Sequence, residues 1–306
     1  MISAYVWLLC VLPLTISWVA LAVRRRLPTG GAKDRRDPGD KRPPPGPRPL
    51  PLVGNLLQLD DQPHRSLSGL ARVHGPLMSL RLGRVPVVVV SSPSVAKQVL
   101  RTHDHALSAR AAPDSISAHN ELSMAWLPPA AQWRRLRRLC NTHLFNPQIL
   151  DDSRGLRLKK VRELVSFVGE CSRAGKAVDV GCAAATATLN LISNTLFSSD
   201  VGGHGAESSA EFKGLVRNIM EEAGGPNVAD YFPLLRWADP QGRRRRFSHS
   251  VGRLRQLFGG IIDGRLQSRC GGAGTDAEDF LDALLDSHAT SQLDRPTILS
   301  LLVFQV

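Results

Sequence analysis

The most sustained apolar stretch of the chain lies at its N-terminus. Residues 2–23 carry no charged side chain, and 22 residues in helical form would span about 33 Å, enough to cross the core of a bilayer. We therefore predict an N-terminal transmembrane anchor over residues 1–23. A cleaved signal peptide is the alternative, because residues 20–22 resemble a cleavage site, but the segment lacks a basic start and is long for a signal core.

A polar linker is predicted to follow the anchor. Residues 24–42 are charged and rich in glycine and proline, and they begin with three arginines. Positive charge at this end favours a cytosolic location for the rest of the chain. The run PPPGPRP at residues 43–49 should be stiff and extended, because proline fixes φ and prevents helix formation.

Beyond the prolines, the apolar spacing predicts a small β element and then a series of helices. Residues 64–74 have helical spacing, whereas residues 77–82 and 85–90 predict a β-hairpin. Residues 113–131 contain three prolines and no regular period, which predicts a long loop. The fold class is therefore mainly α with a small N-terminal β-sheet (α+β). Helical spacing also covers residues 94–103, 133–144, 151–171, 182–197, 209–223, 243–270 and 276–286.

Composition narrows the class of protein. The 306 residues are 42% hydrophobic and 22% charged, which suits a globular chain with a sizeable core. The net charge of +12 is compatible with nucleic acid, an anionic membrane or an acidic protein partner. We disfavour nucleic acid, because an anchor precedes the basic runs and no RNA-type aromatic motif accompanies them.

The five scattered cysteines contain no C-x-x-C pair, which argues against structural zinc and favours a reducing compartment.

Four segments carry a resemblance to a known family. They are PPPGPRPLPLVGNLLQL (residues 43–59), LSARAAP (107–113), AQWRRLRRLCNTHLFNPQIL (131–150) and NVADYFPLLRWADPQG (227–242). With the anchor and the order of elements, they resemble the N-terminal portion of a microsomal cytochrome P450 monooxygenase, similar to plant members that oxidise terpenoids. The resemblance implies a truncated cytochrome P450 fold. Residues 43–306 would form the N-terminal part of the haem monooxygenase domain, ending early in its central long helix.

The resemblance implies a cofactor-binding role for Trp133 and Arg137. Helix positions four residues apart share a face, so the indole N–H and the guanidinium would project together and could donate hydrogen bonds to a carboxylate. Family members use this pair on the haem propionates, whereas Arg134 is expected to point elsewhere. Without the family context, a solvated basic helix with a core tryptophan remains the alternative.

The loop of residues 113–131 corresponds to the family's loop over the substrate side of the haem. For any single residue of such a loop, packing or surface exposure is the more common role. The candidate substrate-lining residues are Ile116, His119, Leu122, Met124 and Trp126.

The arginine run at residues 243–246 corresponds to the region between the family's F and G helices, near the membrane. Its side chains could contact anionic headgroups. A solvated charged helix face is the alternative.

The 306 residues contain none of the motifs on which the family's chemistry depends. Residues 273–276 resemble the oxygen-binding segment but are followed by alanine, where threonine is needed. Glu170 and Arg173 spell E-x-x-R but lie too early, and we expect a surface helix end there. No cysteine fits the ligand loop F-x-x-G-x-R-x-C-x-G, so each should be a small buried apolar residue.

The resemblance implies a haem-thiolate monooxygenase that inserts one oxygen atom of O2 into a small apolar, for example terpenoid, substrate. Electrons would come from NADPH through a membrane reductase, and the chain would lie in the endoplasmic reticulum membrane with its bulk on the cytosolic side. We expect this polypeptide to be truncated before the haem-ligating cysteine, to retain haem poorly and to be inactive, so its status as an enzyme stays open. We predict no catalytic or metal-ligating residue within it. The alternative is a non-catalytic, membrane-anchored product that interacts with the reductase or related monooxygenases.

Overall fold

The computed structural model describes residues 43–202, 207–270, 279–290 and 293–303. The predicted anchor and linker lie outside these ranges. The described chain is mainly helical with one two-stranded sheet, so the predicted fold class is confirmed for these residues. The chain divides into two compact units, Met1–His103 and Asp104–Val306, which are described separately below.

The first unit is built on the predicted hairpin. Strands β1 (Leu77–Leu82) and β2 (Val85–Val90) pair antiparallel, from Leu77 opposite Val90 to Leu82 opposite Val85. Gly83, with a φ of 59°, allows the tight turn between them. Helix α1 (Pro63–His74) packs on β1, and helix α2 (Pro93–Lys97) continues as a π-helical turn over Gln98–Thr102. The predicted helix after the hairpin is therefore irregular in its second half.

The proline-rich run lies extended along β1, as expected from its composition. The backbone N–H of Ser79 donates to the carbonyl oxygen of Pro45 at 2.9 Å, and its hydroxyl donates to that of Pro44 at 2.6 Å. A Cβ atom on Gly46 would lie 1.9 Å from the carbonyl oxygen of Ser79. Only glycine permits this close approach of two backbones, so the glycine in PPPGPRP is needed for the contact.

Ten helices lie in the described part of the second unit. The predicted helix over residues 151–171 is in fact two helices, because the chain bends at Ser153 and Pro147 begins the first of them. The predicted loop contains two short 3-10 turns, Asp114–Ile116 and Asn120–Leu122. The helices are α3 (Asp104–Leu107), α4 (Ala131–His143), α5 (Pro147–Asp152), α6 (Arg154–Arg173), α7 (Val180–Phe197), α8 (Glu207–Gly224), α9 (Val228–Tyr231), α10 (Arg243–Cys270), α11 (Phe280–Ala289) and α12 (Arg295–Val303).

Helix α10 provides the centre of the core. Its buried side chains recur every three or four residues, which places them on one face. This face packs against α8, α12 and the turn Asp114–Ile116. The ring of Phe258 lies 5.5 Å from that of Phe197 and 6.1 Å from that of Phe212. The buried residues of this face are Phe247, Ser250, Val251, Leu254, Phe258 and Ile262.

Helix α7 is long and apolar enough to cross a membrane by length and composition alone, with a mean hydropathy of 1.2. It packs against α6, α8 and α11. This packing is typical of a core helix in a globular protein. The span predicted from the sequence lies instead at residues 1–23, and it stays a prediction.

A network of ion pairs links the end of α10 to the start of α11. Arg265 contacts Asp282 at 2.5 Å and Asp279 at 2.8 Å, and Arg269 contacts Asp282 at 2.8 Å. Asp279 and Asp282 also form the capping box of α11. Burial alone would raise the pKa of Asp282, but the hydrogen bonds from Arg265 and Arg269 outweigh this effect and hold the pKa below its usual value.

We predict that Asp282→Asn lowers the free energy of unfolding by about 3 kcal/mol at neutral pH, because it removes the buried carboxylate that pairs with both Arg265 and Arg269. Urea unfolding in detergent measures this change. A group with a depressed pKa stabilises the fold above its unfolded pKa, and this contribution is lost as pH falls through the folded value. The difference in the free energy of unfolding between the Asp282→Asn variant and the unchanged chain should therefore shrink below about pH 4.

Glu221→Gln is the matched control, since it removes one carboxylate from the exposed Arg217–Glu221 pair. We expect it to cost less than about 0.5 kcal/mol. Equal effects of the two substitutions would contradict a structural role for the buried network.

Candidate functional site

Helix α4 presents two different faces. Leu136 and Cys140 lie four residues apart and are buried in the core, with exposed fractions of 1% and 0%. The arginines of the same helix therefore lie on its outer sides. Trp133 is half-buried, and Arg137 is exposed one turn later.

Trp133 and Arg137 line the same pocket, which has a volume of about 340 Å³. The predicted sharing of one helix face is thus realised in the fold. Within the described chain, no carboxylate lines this pocket, so its charge is positive. The other lining residues are Ser108, Arg110, Met124, Ala125, Leu127 and Pro129.

The cationic groups of the pocket are held by aromatic and backbone contacts. The guanidinium carbon of Arg137 lies 5.7 Å from the centroid of the Phe145 ring, a cation–π distance. Arg110 donates to the carbonyl oxygen of Ala125 at 3.2 Å. Arg134 does not line this pocket but lines a second one with Trp133 and Arg137, and it donates to the carbonyl oxygen of Pro129 at 3.4 Å. The pocket thus offers two guanidinium groups and one indole N–H, a donor set that suits carboxylates.

Arg110 is the residue of this pocket that sequence reasoning missed. It lies within the segment LSARAAP, which carried part of the family resemblance. No local period singles it out, since only the packing of this segment against Ala125 and Met124 brings its guanidinium to the pocket. The one sequence signal for Arg110 was its position in a segment that resembles the family.

The five predicted lining residues fall into different environments. Met124 lines the pocket with Trp133 and Arg137. Ile116 is fully buried in the core, and Trp126 packs partly buried against it. Leu122 is half-buried in the 3-10 turn that packs on α12. His119 lies against α10, so the structure brings only Met124 to the predicted cofactor residues.

His119 is held by two neighbouring residues of α10. Its Nε2 atom lies 3.3 Å from the hydroxyl oxygen of Ser248, and its ring centroid lies 5.9 Å from that of Phe247. Burial and the nearby positive charge of Arg255 lower the pKa of His119. The imidazole is therefore neutral at physiological pH.

Each arginine of the run at the start of α10 forms an ion pair with a carboxylate. Arg243 and Arg246 contact Glu222 at 3.4 and 2.6 Å, and Arg244 contacts Asp114 at 3.7 Å. Arg245 contacts Asp239 at 3.5 Å. The run therefore ties α10 to α8 and to the loop, a role that neither sequence alternative named.

The expectation that every cysteine is buried is wrong for two of them. Cys140 is buried and Cys171 is half-buried, but Cys182 and Cys270 are exposed. The reason is their position at helix ends, since Cys182 lies in the first turn of α7 and Cys270 is the last residue of α10. Cys10 lies outside the described residues. No cysteine of the described ranges lines the pocket.

The early E-x-x-R sequence is a surface helix end, as predicted. Helix α6 ends at Arg173, and both Glu170 and Arg173 are exposed. Glu170 accepts a hydrogen bond from Ser166 at 3.2 Å. This pair therefore braces no core.

The candidate site is therefore a positively charged pocket between helix α4 and the loop of residues 113–131. The cytochrome P450 family model matches residues 44–302, and the chain belongs to this family. The resemblance stated from the sequence is thus confirmed.

Several plant members of the family are similar to the chain. It is 48% identical to geraniol 8-hydroxylase of Swertia mussotii over 259 residues, which are 83% of this chain and 52% of the relative. It is 46% identical to geraniol 8-hydroxylase of Catharanthus roseus, with the same coverage. It is also 46% identical to a protein of Beta vulgaris named inactive cytochrome P450 76AD1, over 85% of this chain and 63% of the relative. The chain spans about half the length of the curated relatives it matches.

We predict that Cys140 resists alkylation by iodoacetamide at pH 8, whereas Cys182 and Cys270 react. Burial raises the pKa of the Cys140 thiol to about 11, against the opposing effect of Arg137, so only about one thiol in a thousand would be ionised. Mass spectrometry of the peptides measures each rate. All three cysteines should react alike in urea, and rapid labelling of Cys140 in the folded chain would contradict its burial.

Proposed function

We propose that this chain supplies the propionate-binding part of a haem-thiolate monooxygenase and that Trp133, Arg137 and Arg110 hold the haem propionates. The observation that carries the proposal is the shared pocket of Trp133 and Arg137, which contains two guanidinium groups and, among the described residues, no carboxylate. When bound, haem supplies the iron at which the family activates oxygen. The donors of this pocket fit its two carboxylates.

The chain's own residues would bind and orient the cofactor. A guanidinium presents a planar fork that matches a carboxylate, and the Phe145 ring limits the movement of Arg137. Met124 and Leu127 form an apolar wall of the pocket. Such a wall excludes water and strengthens charge-assisted hydrogen bonds.

We propose a small apolar substrate, in keeping with the printed names geraniol 8-hydroxylase and drimenol monooxygenase among the relatives. The loop of residues 113–131 would contact it. Met124, Leu122 and His119 are better placed than Ile116, because Ile116 is fully buried in the core. Met124 and Trp126 both pack partly buried against that core, but of the two only Met124 lines the pocket.

The exposed basic side of α4 supports a reductase partner. Arg135 and Arg138 are exposed, and neither forms an ion pair with another residue that the structure describes. They differ in this respect from the arginines at residues 243–246. Unpaired positive charge steers acidic proteins toward a surface, so we propose that the NADPH-dependent reductase docks here, with the chain anchored in the endoplasmic reticulum membrane.

A non-catalytic membrane-anchored product is the second candidate. Its specific support is the relative of Beta vulgaris whose printed name includes the word inactive. On this proposal the chain would keep the α4 surface and bind the reductase or related monooxygenases without oxidising a substrate.

We predict that Arg137→Ala weakens haem retention about tenfold, because it removes a charge-assisted hydrogen bond to a propionate. The test uses a chimera of the Swertia mussotii relative in which this chain replaces the matched 259 residues. The rate of haem transfer to apomyoglobin measures retention. Arg135→Ala is the matched control, because Arg135 lies on the same helix but not in the pocket. Equal haem loss in both variants would contradict the propionate role.

We predict that the double variant Arg135→Glu/Arg138→Glu slows electron transfer from the reductase at low salt by about tenfold or more. Stopped-flow reduction of the same chimera measures the rate at several ionic strengths. The effect should fade as salt rises, because screening weakens the attraction. Charge reversal at the exposed Arg162 on α6 serves as control, and an unchanged rate in the double variant would remove α4 as the docking surface.

A further inference from the structure

A cysteine and a lysine from different helices lie in direct contact, away from the cofactor pocket. Nζ of Lys213 on α8 lies 3.2 Å from Sγ of Cys182, which is in the first turn of α7. The same nitrogen donates to the hydroxyl oxygen of Thr186 at 2.9 Å. Thr186 follows Cys182 by four residues and therefore shares its helix face. Two residues of one helix turn thus hold the amine beside the thiol.

Both groups border a cavity that is open to solvent. The cavity lies between α7 and α8 and has a volume of about 770 Å³, and Cys182 and Lys213 both line it. Cys182 is exposed, whereas Lys213 is half-buried. A small oxidant dissolved in water can therefore reach the sulfur, and the flexible four-carbon stem of the lysine has room to move toward it.

Lys213 is not held by a carboxylate. Among the residues that the structure describes, it forms no ion pair, and its nitrogen instead contacts the sulfur of Cys182. Glu211, on the same helix, pairs with Arg253 at 2.8 Å. An ion pair keeps a lysine in its ammonium form, whereas an unpaired lysine can lose a proton and attack an electrophile. The contact therefore joins two nucleophilic groups with no competing countercharge.

Cys270 provides a comparison within the same chain. It is exposed, as Cys182 is, but no side-chain nitrogen of the described residues lies within hydrogen-bonding distance of its sulfur. A sulfenic acid condenses with a neighbouring nitrogen or thiol where one is in reach, and otherwise it takes up further oxygen to become sulfinic and then sulfonic acid. The two exposed cysteines should therefore give different products with the same oxidant.

We propose that Cys182 and Lys213 form a cross-link, a sulfenamide bond between Sγ and Nζ, when the chain meets a peroxide. Hydrogen peroxide first gives one oxygen atom to the thiol, which becomes a sulfenic acid, and its other oxygen leaves as water. The lysine nitrogen, as the free amine, then attacks the sulfur. The S–N bond forms while the S–O bond breaks, and the leaving hydroxide takes a proton from nitrogen and becomes a second water. The chain is oxidised by the loss of two hydrogen atoms, and the peroxide is reduced to two waters.

The cross-link would tie α7 to α8 across 31 positions of the sequence. Such a bond stabilises a fold mainly because it restricts the unfolded chain. It would also fix the two helices that form the walls of the cavity. A thiol reductant would restore both side chains, so the tie is a reversible response to oxidant. It involves no haem and no residue of the cofactor pocket, and it is therefore independent of the proposed function.

The test treats the full chain in lipid nanodiscs with hydrogen peroxide at pH 8. Trypsin and a glutamate-specific protease then release residues 177–207, in which Cys182 is the one cysteine, and residues 212–217, in which Lys213 is the one lysine. Mass spectrometry should find these peptides joined, with a mass two hydrogen atoms below their sum, and dithiothreitol should separate them. Cys270 should instead carry added oxygen atoms.

Two substitutions identify the atoms involved. Lys213→Arg keeps the cation and Cys182→Ser keeps a small polar side chain, and each should abolish the joined peptide. Lys159→Arg, at an exposed position of α6, is the matched control and should leave it unchanged. The oxidised chain should also unfold at a higher urea concentration than the reduced chain, and Lys213→Arg should remove this difference.

Three results would overturn the proposal. The first is a Cys182 that gains only oxygen atoms in the folded chain. The second is a joined peptide that forms equally well in urea, because the contact between α7 and α8 would then play no part. The third is a joined peptide with an added oxygen atom, which would exclude a direct S–N bond. If a variant fails to fold, the peptides of the unchanged chain, with Cys270 as the comparison, still decide.

Discussion

Burial of one face of helix α10 is the constraint on which the second unit depends. Phe247, Val251, Leu254, Phe258 and Ile262 are each at most 1% exposed. Helices α8 and α12 and the loop turn Asp114–Ile116 all pack on this face. A contiguous apolar stripe of this kind contributes most of the free energy that offsets chain ordering. The positions of the loop and of the helices that pack on α10 follow from it.

The loop connects this core to the candidate cofactor pocket. Ile116 lies against α10, whereas Met124 and Ala125, further along the same loop, line the pocket of Trp133 and Arg137. His119 lies between them in sequence and contacts Ser248 on α10. One loop thus carries residues of the candidate cofactor pocket and a residue that contacts α10. Packing against α10 and backbone hydrogen bonds within the loop, such as those from Ile116 to Pro113 and from His119 to Ile116, hold it in place.

The excess of positive charge serves two different purposes. The arginines at the start of α10 pair with Glu222, Asp114 and Asp239, and Arg265 and Arg269 pair with the capping carboxylates of α11. These pairs hold α10 against α8, the loop and α11. The arginines of α4 instead face the pocket or solvent, where we propose that they bind propionates and an acidic partner. The number of arginines alone could not separate these roles.

The sequence alone determined the helical class, the hairpin and the position of Trp133 and Arg137 on one helix face, because each depends on local period or on spacing within one helix. The family followed from the resemblance of four short segments and not from any period. The sequence also indicated the break at the proline-rich run. Only the tertiary structure decided that Arg110 joins the pocket, that the arginine run is paired, that Cys182 and Cys270 are exposed, and that His119 contacts Ser248 on α10. These four facts depend on contacts between residues far apart in the chain or on where helix ends emerge, and such contacts arise from packing around α10, which no local pattern records.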